Sequence, residues 1–212
     1  MSFENRRLPR FFLSVLFLGA LWGTTASATG APPPPNPSKY AHLDPKHEVP
    51  REALNEAVAY YDSHLGQIAN RRFLTVIDFT KHSGLPRFFV IDMNSGAVDS
   101  YHTAHGSGSD PDHNGYADRF SNTDNSHMSS LGFYLTGSTY QGENGLSLYL
   151  DGLSATNSNA RARAIVVHGA AYVDPDLPKM GRSWGCPALS PDVTAHVIGQ
   201  IKGKSLLYAW RD

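Results

Sequence analysis

From residue 73 to residue 210 the chain is a series of short runs of β-branched, aliphatic and aromatic residues, each closed by Gly, Ser, Asn or Pro. The runs 73–79, 87–93, 97–104, 131–136, 146–150, 164–168 and 206–210 have the length of strands rather than helices. With 19 Gly and 14 Pro, turns are plentiful. Two segments have helical spacing instead. In 50–65, Leu54, Ala57, Val58, Tyr61 and Leu65 share a face, Pro50 suits a first turn and Gly66 can close the helix. A last helix begins with Ser190 as N-cap and Pro191 in first position, and Val193, Val197 and Ile201 form its apolar face. No internal repeat is visible. The expectation is one mainly-β domain over 50–212, with a helix flanking it at each end.

The N-terminus has a different character. Arg6, Arg7 and Arg10 precede an apolar run, 11–22, too short to span a bilayer as a settled helix, and Ala26-Ser27-Ala28 is a small-residue cleavage pattern. Residues 1–28 are therefore expected to be a signal peptide. The competing reading, an uncleaved anchor, does not account for the cleavage pattern. Pro9 stands where a twin-arginine signal has an apolar residue, which favours the general export route. Residues 29–49, with prolines from Pro32 to Pro37, read as an extended linker. The expected location is the periplasm or cell envelope, without stable membrane insertion after cleavage. Loss of 1–28 removes three Arg and one Glu, so 18 Lys+Arg and 19 Asp+Glu become 15 and 18. No basic tract survives, which argues against nucleic acid as a partner.

Exported chains use cysteines in pairs, and this one has a single Cys. By count alone Cys186 is an intermolecular bridge, an inert buried thiol or a reactive thiolate. Its surroundings narrow the choice. Ala164-Ile165-Val166-Val167-His168-Gly169 is a buried strand with a histidine at its C-terminal end. Eighteen residues later Cys186 lies in the Gly-punctuated stretch Gly181-Arg182-Ser183-Trp184-Gly185-Cys186-Pro187. A thiol needs a base to become a nucleophile, and glycines let backbone N–H groups approach a ligand. Taken singly, a lone Cys or strand-end His is more often structural. Together, without a disulfide, they form a candidate nucleophile–base pair.

These stretches resemble the L,D-transpeptidase (YkuD-type) signature, H-G followed by S-H-G-C. They are closest to the murein L,D-transpeptidase catalytic-domain pattern, here His168-Gly169-Ala170-Ala171-Tyr172-Val173 and Gly181 through Ala188. Ser129-Ser130-Leu131-Gly132-Phe133-Tyr134 fits the upstream strand, and the resemblance extends over about 70–210. It implies a β-sandwich-like fold with flanking helices, Cys186 as nucleophile and His168 as base. It also implies backbone N–H groups of Gly185 and Cys186 as oxyanion donors, and the Gly169 carbonyl as the group that orients the imidazole. The implied substrate is a peptidoglycan tetrapeptide stem cut before its terminal D-Ala, with no cofactor. Hydrolysis of the same bonds, or peptidoglycan binding without catalysis, are the alternatives. Trp184 stands where the signature has His, and Ala188 where an Arg is common. Arg182 is the candidate replacement for that Arg. Ser183, Tyr172, His105 and Ser130 complete the expected substrate-binding set.

Two metal patterns are weaker. Asp110, Asp112, Asn114 and Asp118 occupy ligand positions of a calcium loop, with Gly115 at its turn, but Ser121 replaces the closing Glu. Among ten His, His102 and His105 are three apart in an expected strand and would face opposite sides, which is poor geometry for shared zinc. An ordinary polar turn and no metal are the expectations.

Overall fold

The computed structural model describes residues 38–212; the expected signal peptide and residues 29–37 lie outside them. The first helix, α1 (Arg51–Ser63), starts after Pro50 and buries Ala53, Leu54, Ala57, Val58 and Tyr61 along one face. Ten strands follow: β1 (Phe73–Asp78), β2 (Phe88–Asp92), β3 (Val98–Tyr101), β4 (His105–Gly106), β5 (Gly132–Gly142), β6 (Gly145–Gly152), β7 (Val166–Gly169), β8 (Arg182–Ser183), β9 (Ala188–Leu189) and β10 (Leu206–Trp210). The second helix, α2 (Pro191–Ile201), lies between β9 and β10. The fold is mainly β, as the turn-punctuated runs predict.

Eight strands join in one mixed sheet in the order β3-β2-β1-β10-β5-β6-β7-β9, and β4 and β8 form a separate parallel pair. Both faces of the large sheet are covered. Leu74, Val76, Phe89, Ile91, Leu206 and Trp210 pack with the apolar face of α1. Their neighbours Ile77, Phe88, Val90, Leu207 and Ala209 point the other way, into a core shared with Val197, Ile198 and Ile201 of α2. Successive strand residues alternate faces, so a strand buried on both must be apolar throughout. That is why these strands read as continuous apolar runs. Each such side chain contributes roughly 1.5–3 kcal/mol by burial, and truncation of Leu74 to Ala would cost about 2–5 kcal/mol.

The packed domain begins earlier than the expected boundary at residue 50. Leu43, Asp44 and Val49 are buried, and the Asp44 carboxylate accepts from the backbone N–H of Glu48 and Val49. The proline run hides this, because a short buried turn has no periodicity to announce it. At the other helix, Pro191 does hold the first position, but the Ser190 side chain makes no cap bond. Its carbonyl accepts from the N–H and hydroxyl of Thr194 instead.

Candidate active site

β9 is what brings Cys186 to His168. It pairs in parallel with β7, matching His168 to Ala188 and Gly169 to Leu189. Two residues back along both chains, Cys186 is level with Val166. Its thiol points at the Ala164 carbonyl, 3.7 Å away. The neighbouring β6 pairs Ser147 with His168, so the histidine is presented from an interior strand.

Cys186 and His168 line one cavity of about 310 Å³ together with Asn144, Tyr172, Arg182, Ser183 and Trp184. His168 is 5% exposed, and its Nδ1 lies 3.0 Å from the Gly169 carbonyl. A carbonyl can only accept, so Nδ1 carries the proton and Nε2 presents a lone pair. Burial holds the His168 pKa below its ordinary value, with the Gly169 hydrogen bond opposing. Burial also pushes the Cys186 thiol up, opposed by a hydrogen bond from the Val166 backbone and by the nearby charge of Arg163. Both directions favour a resting pair of neutral thiol and neutral imidazole rather than a preformed ion pair. Such an imidazole can accept a proton as the sulfur attacks.

The loop that carries Cys186 is held from within. Ser183 Oγ donates to the Cys186 carbonyl at 2.7 Å and accepts from the Gly185 N–H at 3.0 Å. Ser129 Oγ donates to the Gly185 carbonyl at 3.1 Å and accepts from the Gly106 N–H. The Gly185 N–H expected to serve an oxyanion is thus already engaged, and the hydrogen bonds of the loop leave that of Cys186. Gly185 has φ +120°, and a Cβ there would come within 2.6 Å of the Met128 carbonyl oxygen. Only glycine fits without a shift of the backbone.

Several expected substrate contacts are elsewhere. His105 is fully buried, with Nδ1 2.6 Å from Arg87 Nη2 and Nε2 3.1 Å from Asp110 Oδ2. It does not line the groove. Ser130 is also buried, shares a hydrogen bond with the Tyr134 hydroxyl at 2.7 Å, and lies beneath the site. Arg182 reaches the cavity, and its guanidinium donates to the Asp110 carbonyl. Trp184 is 75% exposed and stacks flat on His127, with ring centres 4.9 Å apart.

The calcium-like loop is a hydrogen-bonded turn. Asp110 caps the N–H groups of Asn114 and Gly115, Asp112 accepts from Asn114, and Asp118 pairs with Arg211 at 3.2 Å. Among the described residues no three His, Cys, Asp or Glu side chains are gathered to hold a metal.

Sequence reading missed Asn144 altogether, and missed the parts that Ser129 and Arg163 play. Asn144 reaches the cavity from the two-residue turn between Gly142 and Gly145, an effect of hairpin register. Ser129 holds the Gly185 carbonyl, and Arg163 holds the 121–130 segment beside it, each from a part of the chain distant in sequence. Two further hollows adjoin the cavity through shared residues: one at Asn144, Gly169 and Thr194, and beyond it one lined by Asp174, Asp176 and Asp192.

Residues 45–210 match the family model of the L,D-transpeptidase catalytic domain (YkuD_2). The chain belongs to that family. Among curated proteins nothing matches it. Solved structures similar to it include an L,D-transpeptidase from Mycobacterium tuberculosis (13% identity, TM-score 0.44, 66% of this chain, 58% of that one). Another is the L,D-transpeptidase of Mycobacterium smegmatis (14%, 0.42, 66% and 59%). A third is L,D-transpeptidase 3 of M. tuberculosis (12%, 0.44, 66% and 61%). The chain spans about three fifths of the length of these structures. Membership rests on the family match, which covers most of the chain.

Proposed function

We propose that this chain is an exported L,D-transpeptidase that acts on peptidoglycan tetrapeptide stems through a thioester on Cys186. The observation that carries the reading is one cavity shared by the thiol and by an imidazole whose Nδ1 is pinned to the Gly169 carbonyl. In the first step Cys186 Sγ attacks the carbonyl that precedes the terminal D-Ala. His168 Nε2 takes the thiol proton and passes it to the departing D-Ala amine as the C–N bond breaks. The Cys186 N–H is the backbone donor placed to meet the oxyanion. In the second step the amine of another stem attacks the thioester, loses its proton to His168 and expels the thiol. Residues 1–28 supply the export signal, and no helix among the described residues is long and apolar enough to cross a membrane.

The acidic hollow gives a cationic acceptor amine a place to approach, at Asp174, Asp176 and Asp192. Mass spectrometry of tetrapeptide muropeptides incubated with the purified enzyme tests the whole reading. Release of D-Ala with dimers joined between two diaminopimelyl residues is expected. Cys186→Ala should abolish both products while far-UV circular dichroism stays unchanged. Replacing Asp174 and Asp176 together by Asn should cut dimer yield several-fold more than D-Ala release. Monomeric tripeptide alone would make the enzyme a hydrolase, and turnover by a folded Cys186→Ala protein would overturn the mechanism.

A further inference from the structure

Arg161 and Arg163 are two residues apart and differently employed. Arg161 pairs with Asp151 at 3.1 Å and lies over the Tyr149 ring. Arg163 turns inward beneath the nucleophile loop. Its Nη1 donates to the Ser121 carbonyl at 2.7 Å, and its Nη2 to the Met128 carbonyl at 2.6 Å and Ser126 Oγ at 3.3 Å. The same Nη2 would lie 3.3 Å from a Cβ built on Gly185, so the guanidinium rests against the peptide that precedes Cys186. All these partners are neutral. Among the described residues no carboxylate is within ion-pairing distance of Arg163. A part-buried cation is screened far less by salt than an exposed one, and without a counter-ion its field is left uncancelled.

We infer that Arg163 is the positioning residue of this site: it ties the 121–130 segment under the nucleophile loop and supplies the uncompensated positive charge that favours ionised sulfur at Cys186. The inference rests on Cys186 being the nucleophile. Ala188 stands where the resemblance leads one to expect an Arg after the cysteine, and Arg182 is turned to the Asp110 carbonyl. Arg163 reaches the loop from the opposite side, just before the strand that bears His168. Ala164, whose carbonyl faces the thiol, takes a left-handed φ of +52° directly after it. The backbone there is bent so that residue 163 goes under the loop and residue 164 faces the sulfur.

The other ionisable groups around the thiol do not obscure its titration. His168 on β7 is held below its ordinary value, so it is neutral well before the thiol ionises. Tyr134 on β5 and Tyr172 after β7 are both pushed up to about 12, mainly by burial. Arg182 on β8 also borders the cavity.

The test follows iodoacetamide alkylation of Cys186 against pH, a readout of the thiol alone that needs neither stem peptide nor acyl acceptor. Arg163→Gln should raise the alkylation midpoint by about one pH unit, a roughly tenfold loss of thiolate at neutral pH, whereas Arg163→Lys should keep it near that of the native chain. Ser126→Asp leaves the guanidinium in place but offers it a carboxylate, and should raise the midpoint in the same direction; Ser126→Asn should not. These loop variants decide the matter even where Arg163→Gln fails to fold. An unchanged midpoint in folded Arg163→Gln or in Ser126→Asp overturns the inference, as does an equal shift in Arg163→Lys and Arg163→Gln. Loss of transpeptidation with an intact alkylation profile would instead count against the proposed function.

Discussion

The chain contains two His-Gly pairs, His105-Gly106 and His168-Gly169, and both adjoin the segment that carries Cys186. β4 bears the first and pairs with β8; β7 bears the second and pairs with β9. Burial lowers both histidines below their ordinary pKa, His105 to about 4. The difference is what their nitrogens face. At His168, Nδ1 donates to the Gly169 carbonyl and the ring borders an open cavity. At His105 the Arg87 guanidinium can only donate, so Nδ1 accepts from it and Nε2 donates to Asp110. Both nitrogens are consumed, and the ring is sealed from solvent with Arg87 and Asp110. A histidine's role follows from which nitrogen is left over, and residue type does not reveal that.

Replacing each ring should separate the two roles. His168→Ala should slow acylation at least about a hundredfold, the usual scale for loss of a general base, while costing only about 1 kcal/mol through the lost Gly169 hydrogen bond. His105→Gln retains an acceptor for Arg87 and a donor for Asp110, and should leave the acylation rate near that of the native chain. Single-turnover labelling by an acylating inhibitor measures both. An undiminished rate in His168→Ala would transfer the base to another group and end the contrast.

That contrast also marks how far the sequence could be read. Strands buried on both faces announce themselves as apolar runs, so most of the large sheet and both helices were legible. The two-residue strands β4, β8 and β9 were not, because a pairing this short has no period and exists only through its partner. Cys186 and His168 stood out because a lone thiol in a glycine loop and a histidine at a strand end are rare together. Their supports did not. Ser129 bonds the loop, and Arg163 the 121–130 segment beside it, from tens of residues away in sequence, and Asn144 reaches the cavity through hairpin geometry. His105 lies outside the groove for the same reason: its partners Arg87 and Asp110 meet it only in three dimensions.

Stability should reverse the ranking of the two histidines. His105→Ala strands the Arg87 guanidinium and Asp110 carboxylate in the interior without the ring that links them. Each retains other bonds, Arg87 to the Lys81 and Thr103 carbonyls and Asp110 to two backbone N–H groups. The pair is nevertheless broken and a cavity opened, at a cost of about 3–5 kcal/mol. For a domain of this size that lowers Tm by roughly 10 °C. Thermal melts of His105→Ala and His168→Ala compare the two directly. A smaller drop for His105→Ala would mean that the buried link contributes little.

The finest discrimination lies in pH. His105 binds its proton near pH 4 in the folded chain, against an ordinary value of 6.5. Burial is the main cause, followed by the charge of Arg87, while Asp110 opposes both. Between those values the unfolded chain holds more protons than the folded one, so stability rises with pH. The contribution is complete above about pH 6.5 and is lost as pH falls towards 4, on the order of 3 kcal/mol at most. His168 is depressed in the same direction and adds to the slope. Asp110 is also depressed, but a carboxylate loses its contribution only below the ordinary carboxylate range, outside this window. Arg87 stays charged throughout, since burial lowers it only to about 9. Gln at 105 keeps both hydrogen-bonding roles and cannot titrate. Denaturant unfolding of His105→Gln between pH 4 and 6.5 should therefore give a flatter stability curve than the native chain, and His168→Gln should flatten it less. A native slope retained in His105→Gln would mean that the buried ring is already protonated in the fold, and its pairing with Arg87 would then need another explanation.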